Sequence, residues 1–411
     1  MSLFIPSQVR SDIPLLHREV HDRPIVYLDS AATALTPRIV IESMSRYYET
    51  YHSNVHRAVY VTAAEATDAY EEARVAVGRF INAAHPADEI IFTHGTTEAF
   101  NLLAKSWGRA NLTSSDAIVL TEMEHHANLV PWFQLRDEIG FEIRFLRVTD
   151  DYRLDLSTLN ELLTGAKLLS VTGMSNVLGT INPVAELAAA AHRHGALIAV
   201  DGAQSVAHGV TNVQGLDIDF LAFGAHKMLG PTGIGALWVR RELLASMPPF
   251  LGGGGMIADV SLDGFSAASG LSKYEAGTPP IAEAVGFATA VHYLESLGME
   301  AIAAYESQLT SSLLTGLATN FADRIRVIGP TTMEARGSVV SFDVDGVHPH
   351  DVAQVLDQFG VCVRPGHHCA KPLMKRFGLA ATARASFGPY SDQSDIDTLM
   401  IALEDAVRLF A

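Results

Sequence analysis

Cysteine is scarce in this chain, and positive charge falls well short of negative. It contains 2 cysteines in 411 residues, too few for a disulfide framework, and a reducing compartment is expected. Its 29 lysines and arginines stand against 46 aspartates and glutamates, for a net charge of −17. With no basic run, the chain is a poor candidate for binding nucleic acid or an anionic membrane through general electrostatics. No apolar stretch approaches the ~20 residues needed to cross a bilayer. The opening MSLFIPSQVRSDIPLL lacks both the basic segment and the apolar core of a secretory signal. A cytoplasmic location is therefore expected, and no metal site is. What remains is a globular composition, 48% apolar and 18% charged, with length for about two to three domains.

From about residue 88 a unit repeats: a short apolar strand, a loop of small or polar residues, then a helical pattern. EIIFTHGTTEAFNLLAKSWG, DAIVLTEMEHHANLVPWFQLRDEIG, KLLSVTGMSNVLGTINPVAELAAAAHRHG and ALIAVDGAQSV follow one another, then IDFLAFGAHKML and the strand GIGALWVRR. Continuous apolar strands suit a sheet buried on both faces, and the alternation predicts an α/β domain with a mostly parallel sheet. In such sheets the loops beyond the strands' carboxyl ends form the ligand crevice. Those loops carry Thr96, Thr97, His125, Asn176, Asp201, Gln204, His226 and Lys227. Residues 252–280 are rich in glycine and serine and read as loops with a possible hairpin. After them, helices, the strands RGSVVSFDVDGV and VCVRPG, and a last helix striped by Leu399, Leu403, Val407 and Phe410 suggest a smaller α+β domain. The expected division is a large domain over 24–290 and a small one from 1–23 and 291–411.

Individual motifs leave two readings each. Lys227 in AFGAHKMLGPTG is either a loop lysine or a strand-end amine made nucleophilic by desolvation. Asp201 in IAVDGAQSV either caps a turn or supplies a buried carboxylate that needs a cationic partner such as a protonated ring nitrogen. Gly95, Thr96 and Thr97 open a helix, as a plain cap or as a phosphate site. His125 could lie over an aromatic ring or be structural, and its neighbour His126 reads as structural. GGGG at 252–255 follows a loop rather than a strand, which argues against a nicotinamide-binding fingerprint.

Taken in order, YLDSAATAL, NVHR, GTTEAFNL, EHHANLVPW, SNVLGTINP, VDGAQSV, HKMLGPTGIG, EAGTP and RPGHHCAKPL resemble the fold-type I pyridoxal 5′-phosphate (PLP) enzymes of the class V aminotransferase branch. Within it they are similar to group II cysteine desulfurases of the SufS/CsdA kind. The resemblance implies that Lys227 bonds covalently to PLP, that Asp201 pairs with its ring nitrogen, and that Gln204 bonds the ring hydroxyl. It implies that His125 stacks on the ring and shuttles protons. Thr96, Thr97 and His226 would hold the phosphate, with Thr278 reaching it from the other subunit of a homodimer. Asn176 and Arg384 would bind the amino-acid substrate, and Arg364 and His56 would line the entrance. Relatives often carry Ser-Gly where Gly224 and Ala225 stand here; the Gly224 N–H or the Ser205 hydroxyl are candidates to compensate. Pro280 stands where an asparagine is usual after TP.

The same resemblance gives the RPGHHCAKPL cysteine its role. Cys369 would take sulfur from L-cysteine as a persulfide, leaving L-alanine, and pass it to a SufE/CsdE-like or SufU-like acceptor for iron–sulfur cluster or other sulfur-cofactor assembly. A thiolate is stabilised by nearby cations, and Arg364, His367, His368 and Lys371 are the expected ones, on a flexible loop at the crevice mouth. Cys362, in an apolar strand, reads as a small hydrophobe. Two other readings of the scaffold are a selenocysteine lyase, taking L-selenocysteine, and a non-catalytic sulfur-transfer assembly factor.

Overall fold

The computed structural model describes residues 4–410. The central sheet has seven strands, in the order β1-β7-β6-β5-β4-β2-β3. They are β1 (Ile90–Thr93), β2 (Ala117–Thr121), β3 (Glu142–Leu146), β4 (Ala166–Thr172), β5 (Leu197–Asp201), β6 (Phe220–Gly224) and β7 (Gly235–Val239). Only β7 runs against its two neighbours; the other pairs are parallel. Every residue of β1, β2, β6 and β7 is buried, the expected result for a sheet covered on both faces. Successive side chains go to opposite cores. Val119, Leu169, Val200 and Phe223 join one cluster; Ile118, Leu168, Ala199 and Phe220 join the other.

Helices α1 (Val61–Phe80), α2 (Thr96–Leu103), α3 (Val130–Ile139), α4 (Val184–Arg193) and α5 (Ile281–Leu297) cover these faces. Tyr70 and Val77 of α1, Leu187 of α4 and Phe287 of α5 pack into the first core. Phe100 of α2 and Trp132 of α3 pack into the second. Strand β3 has no counterpart in the sequence reading. It is one of the sheet's two edge strands, and unlike the buried edge β1 its exposed Glu142 and half-buried Arg144 break the apolar run that marks the others.

A second, four-stranded antiparallel sheet has the order β8-β9-β11-β10. Its strands are β8 (Ile325–Ile328), β9 (Val339–Val344), β10 (Arg364–Gly366) and β11 (Thr382–Ser386). Helices α6 (Met299–Phe321), α7 (Pro349–Asp357) and α8 (Gln393–Leu409) share a core with it through Leu313, Leu356 and Leu399. The segment read as one strand, VCVRPG, is divided. Val361–Cys362 pairs with Val26–Tyr27, and Arg364–Gly366 pairs with β11. The stripe on α8 holds at Leu399 and Leu403, but Phe410 lies past the helix end and is exposed. The glycine-rich region does contain a hairpin, Ile257–Ser261 with Gly264–Ala267.

One buried ionic cluster ties the segment before Thr278 to the large sheet. Glu275 accepts from Arg74 at 2.6 and 2.9 Å, from the Tyr70 hydroxyl at 2.9 Å and from the Phe92 N–H of β1 at 2.8 Å. Glu275→Ala would leave the Arg74 guanidinium, only 3% exposed, short of its main counter-charge. Removing one partner of a buried pair costs about 3–5 kcal/mol. Urea unfolding should show a loss of about 3 kcal/mol for Glu275→Ala, and a smaller loss for Glu275→Gln, which keeps hydrogen-bonding capacity.

Candidate active site

Five strands of the large sheet end toward one cavity of about 420 Å³, beyond their carboxyl ends as the topology requires. Thr96, Thr97, His125, Asn176, Asp201, Gln204, His226, Lys227, Arg364, Cys369 and Arg384 all line it. His56 and Thr278 do not. They line a separate cleft of about 500 Å³ on the same chain.

Lys227 stands in a single tight turn, Ala225–Lys227, directly after β6. Burial brings its amine down to about 8; Asp201 opposes the shift, while Arg384 and Arg364 add to it. The amine is thus much easier to deprotonate than an ordinary lysine near 10.4. Asp201 closes β5 with 3% exposure. Its Oδ1 accepts the Ala203 N–H at 3.0 Å, and burial raises its pKa against the pull of that hydrogen bond and of Lys227. Gln204 donates its amide to the Ala31 carbonyl at 2.9 Å, while its Oε1 is buried without a partner.

His125 follows β2, and its Nδ1 accepts the Ala127 N–H at 3.0 Å. Burial, aided by Lys227 and other cations, drops it to about 3, so the imidazole is neutral with its proton on Nε2. Behind it lies a residue the sequence reading passed over. Glu124 is fully buried and accepts from Thr121 Oγ1 at 2.6 Å, Asn128 Nδ2 at 2.6 Å and the Thr172 N–H at 2.9 Å. It joins the ends of β2 and β4 to the turn that carries His125. The sequence signal was a carboxylate inside EMEHHANLVPW, overshadowed by the histidines.

At the opposite end, α2 begins at Thr96 with Gly95 as its cap at φ +126. A side chain at Gly95 would be strained there, and one at neighbouring Gly235 would strike the Gly95 Cα at 2.6 Å. Two hydroxyls and free N–H groups at a helix start favour an anion. His226 sits beside them, brought down to about 4 by burial and Lys227. Its Nδ1 meets the Thr33 hydroxyl at 3.3 Å, another contact not read from sequence. A Cβ on Gly224 would lie 3.3 Å from Thr96 Oγ1, so the Thr96 hydroxyl occupies the space beside the missing serine. Ser205, considered as a replacement, lines a different cavity.

Arg384, on β11, is 1% exposed. It donates to Asp29 Oδ1 and to the Asn176 carbonyl, both at 3.0 Å, and its Nε is buried without a partner. Asp29 belongs to a motif that marked the resemblance, but its role was not legible. Cys369 is a free, half-buried cysteine with φ +57, following His368 at φ +50. The expected flexible loop is instead held. Asn176 Nδ2 donates to the His368 carbonyl at 2.8 Å, and His368 Nε2 meets Thr382 Oγ1 at 2.9 Å. The expected cations also change. Burial lowers His368 to about 2, so it is neutral; Lys227 and Arg384 share the cavity with Cys369, as the expected Arg364 does. Cys362 packs half-buried against the apolar core, its thiol pushed up to about 11 by burial.

The residues fit PLP. An amine of lowered pKa, a buried carboxylate with one oxygen unengaged, an orphaned Gln204 oxygen and a helix start lined with hydroxyls surround one cavity. Lys227 would hold the aldehyde carbon, Asp201 the ring nitrogen, Gln204 the ring hydroxyl, and Thr96, Thr97 and His226 the phosphate.

The family model described as Aminotransferase class-V matches residues 26–399. A probable cysteine desulfurase of Streptomyces coelicolor is 48% identical across 98% of this chain and 97% of its own. A cysteine desulfurase of Haloferax volcanii is 46% identical with the same coverage of both chains, 98% and 97%. Among solved structures, an apo cysteine desulfurase from Thermococcus onnurineus superposes with a TM-score of 0.94 at 42% identity, over 99% of each chain. The cysteine desulfurase CsdA of Escherichia coli superposes with a TM-score of 0.92 at 37% identity, over 100% of each.

Only the neutral amine attacks an aldehyde, so borohydride trapping of pyridoxal on Lys227, in protein stripped of cofactor, should accelerate with pH and reach half its plateau near pH 8. Asp201→Ala removes the charge that raises the Lys227 pKa and should move the midpoint lower. A midpoint near 10 in the unsubstituted protein would contradict the burial argument.

Proposed function

We infer that this chain, which belongs to the aminotransferase class-V family, is a PLP-dependent cysteine desulfurase that converts L-cysteine to L-alanine and takes the sulfur on Cys369. The observation that carries the reading is a free thiol, Cys369, lining the same cavity as a strand-end lysine and a buried arginine. PLP, when bound, supplies the electron sink that labilises bonds of the substrate amino acid. Arg384 receives the substrate carboxylate through its unpartnered edge. Two of its nitrogens are already committed to Asp29 and the Asn176 carbonyl, so its plane is set before substrate arrives. Lys227 Nζ, with a pKa of about 8, holds or releases a proton near neutral pH. His125 offers its proton from Nε2, and Asp201 would pair with the ring nitrogen of PLP and favour its protonated form.

Lys227, Arg364 and Arg384 line the cavity with Cys369, and nearby cations favour the nucleophilic thiolate. Its Sγ attacks the substrate sulfur: an S–S bond forms, the Cβ–S bond breaks, Cβ takes a proton, and alanine leaves. The persulfide then passes to an acceptor protein of the SufE/CsdE or SufU kind, for iron–sulfur cluster assembly. The enzyme acts in the cytoplasm as a homodimer in which Thr278, outside the cavity of its own chain, reaches the phosphate held by the partner subunit.

The test is Cys369→Ser. It should retain bound PLP and the absorbance change on mixing with L-cysteine, form no enzyme-bound persulfide, and lose about a hundredfold or more in alanine release, roughly 2.7 kcal/mol of barrier. If Cys362→Ser had this effect and Cys369→Ser did not, the sulfur would travel by another residue.

A further inference from the structure

His126 was read from sequence as a structural neighbour of His125. Its contacts lie elsewhere, on the cysteine loop. Its backbone N–H donates to the Cys369 carbonyl at 2.8 Å. Its ring Nε2 accepts the Lys371 N–H at 3.1 Å. In the preceding peptide, the Cys369 N–H donates to His367 Nδ1 at 3.0 Å, and the His126 and His367 rings stand 5.6 Å apart. The N–H groups of Cys369 and Lys371 therefore each end on an imidazole, and the Cys369 carbonyl ends on the backbone N–H of His126. Two successive non-glycine residues in the left-handed region, His368 and Cys369, persist only where the surroundings hold them.

We propose that His126 is a positioning residue for sulfur transfer: a clasp from the β2 turn that fixes the Cys369 loop by accepting the Lys371 N–H. The role rests on the desulfurase reading for its purpose, but not for its geometry. An acceptor ring nitrogen must be unprotonated, and the environment favours that state. Facing His126 are His125 on its own turn and His367 and Lys371 on the loop. Burial, then the two loop groups, lowers its pKa.

Two substitutions separate the clasp from simple packing. Glutamine can set its side-chain oxygen near the position of Nε2 and keep an acceptor; leucine fills the space and offers none. His126→Leu should form the Cys369 persulfide about tenfold or more slowly in rapid-quench experiments, with an unchanged absorbance response to L-cysteine binding. His126→Gln should recover most of that rate. Alkylation of Cys369 by iodoacetamide, in enzyme carrying PLP but no substrate, should accelerate severalfold in His126→Leu and stay near the unsubstituted rate in His126→Gln. Equal alkylation in all three proteins, or a glutamine variant as impaired as the leucine one, would overturn the clasp. Should the unsubstituted protein release no alanine from L-cysteine, the desulfurase reading fails, while the alkylation comparison still decides the clasp.

Discussion

Burying the Asp201 carboxylate at the end of β5 is tolerable only because compensating charge arrives from the neighbouring strand. Strand β6 pairs with β5 in register, with Asp201 opposite Ala222, and the chain then turns at once to present Lys227. Each perturbs the other: the carboxylate holds the amine up, and burial pulls it down to about 8. A parallel sheet suits this arrangement, since all its parallel strands deliver their carboxyl ends to one rim. Glu124 adds a second buried carboxylate, tied to Thr172, which pairs in register with Asp201. Burial and the Asp201 charge outweigh its three donors and push it up to about 8.

The second sheet completes what the first cannot. Arg384 and Cys369 come from β11 and from the loop after β10, and Arg364 and Arg384 stand opposite each other in the strand register. Two arginines facing one cavity repel, and both depress the Lys227 pKa. Asp29 offsets part of that, and it is carried into range because Val26–Tyr27 pairs with Val361–Cys362 and Asp29 bridges to Ser386. The short strand near the start of the described chain, paired with Val361–Cys362 in a two-stranded sheet of its own, thus leads into electrostatic support for the site.

What the sequence made legible follows from burial. Strands covered on both faces announce themselves as unbroken apolar runs, and the residues ending them fall at the crevice by topology alone. Edge strand β3, half solvated, carries no such run. Asp29 and Thr33 act through Arg384 and His226, far away in the chain, and no local pattern reports a long-range hydrogen bond; Glu124 has local partners in Thr121 and Asn128, and only its tie to Thr172 is distant. The cysteine loop was read as flexible because glycine, proline and charge mark loops. Its order comes from hydrogen bonds to His126, Asn176 and Thr382, which are scattered over the chain.

That order constrains how sulfur can move. With the Cys369 carbonyl held by His126 and its N–H by His367, the backbone cannot swing toward the substrate without surrendering several hydrogen bonds. The freedom left is rotation of the thiol about its own side-chain bond. Under the proposed reaction the substrate's sulfur must then be brought to the thiol, a task that falls to Arg384, whose orientation Asp29 and the Asn176 carbonyl fix. Asn176 serves both sides of the transfer: its carbonyl orients the arginine and its amide holds the His368 carbonyl beside the thiol. One residue in the turn after β4 thus touches both Arg384, the proposed substrate anchor, and the loop of Cys369, the proposed sulfur acceptor.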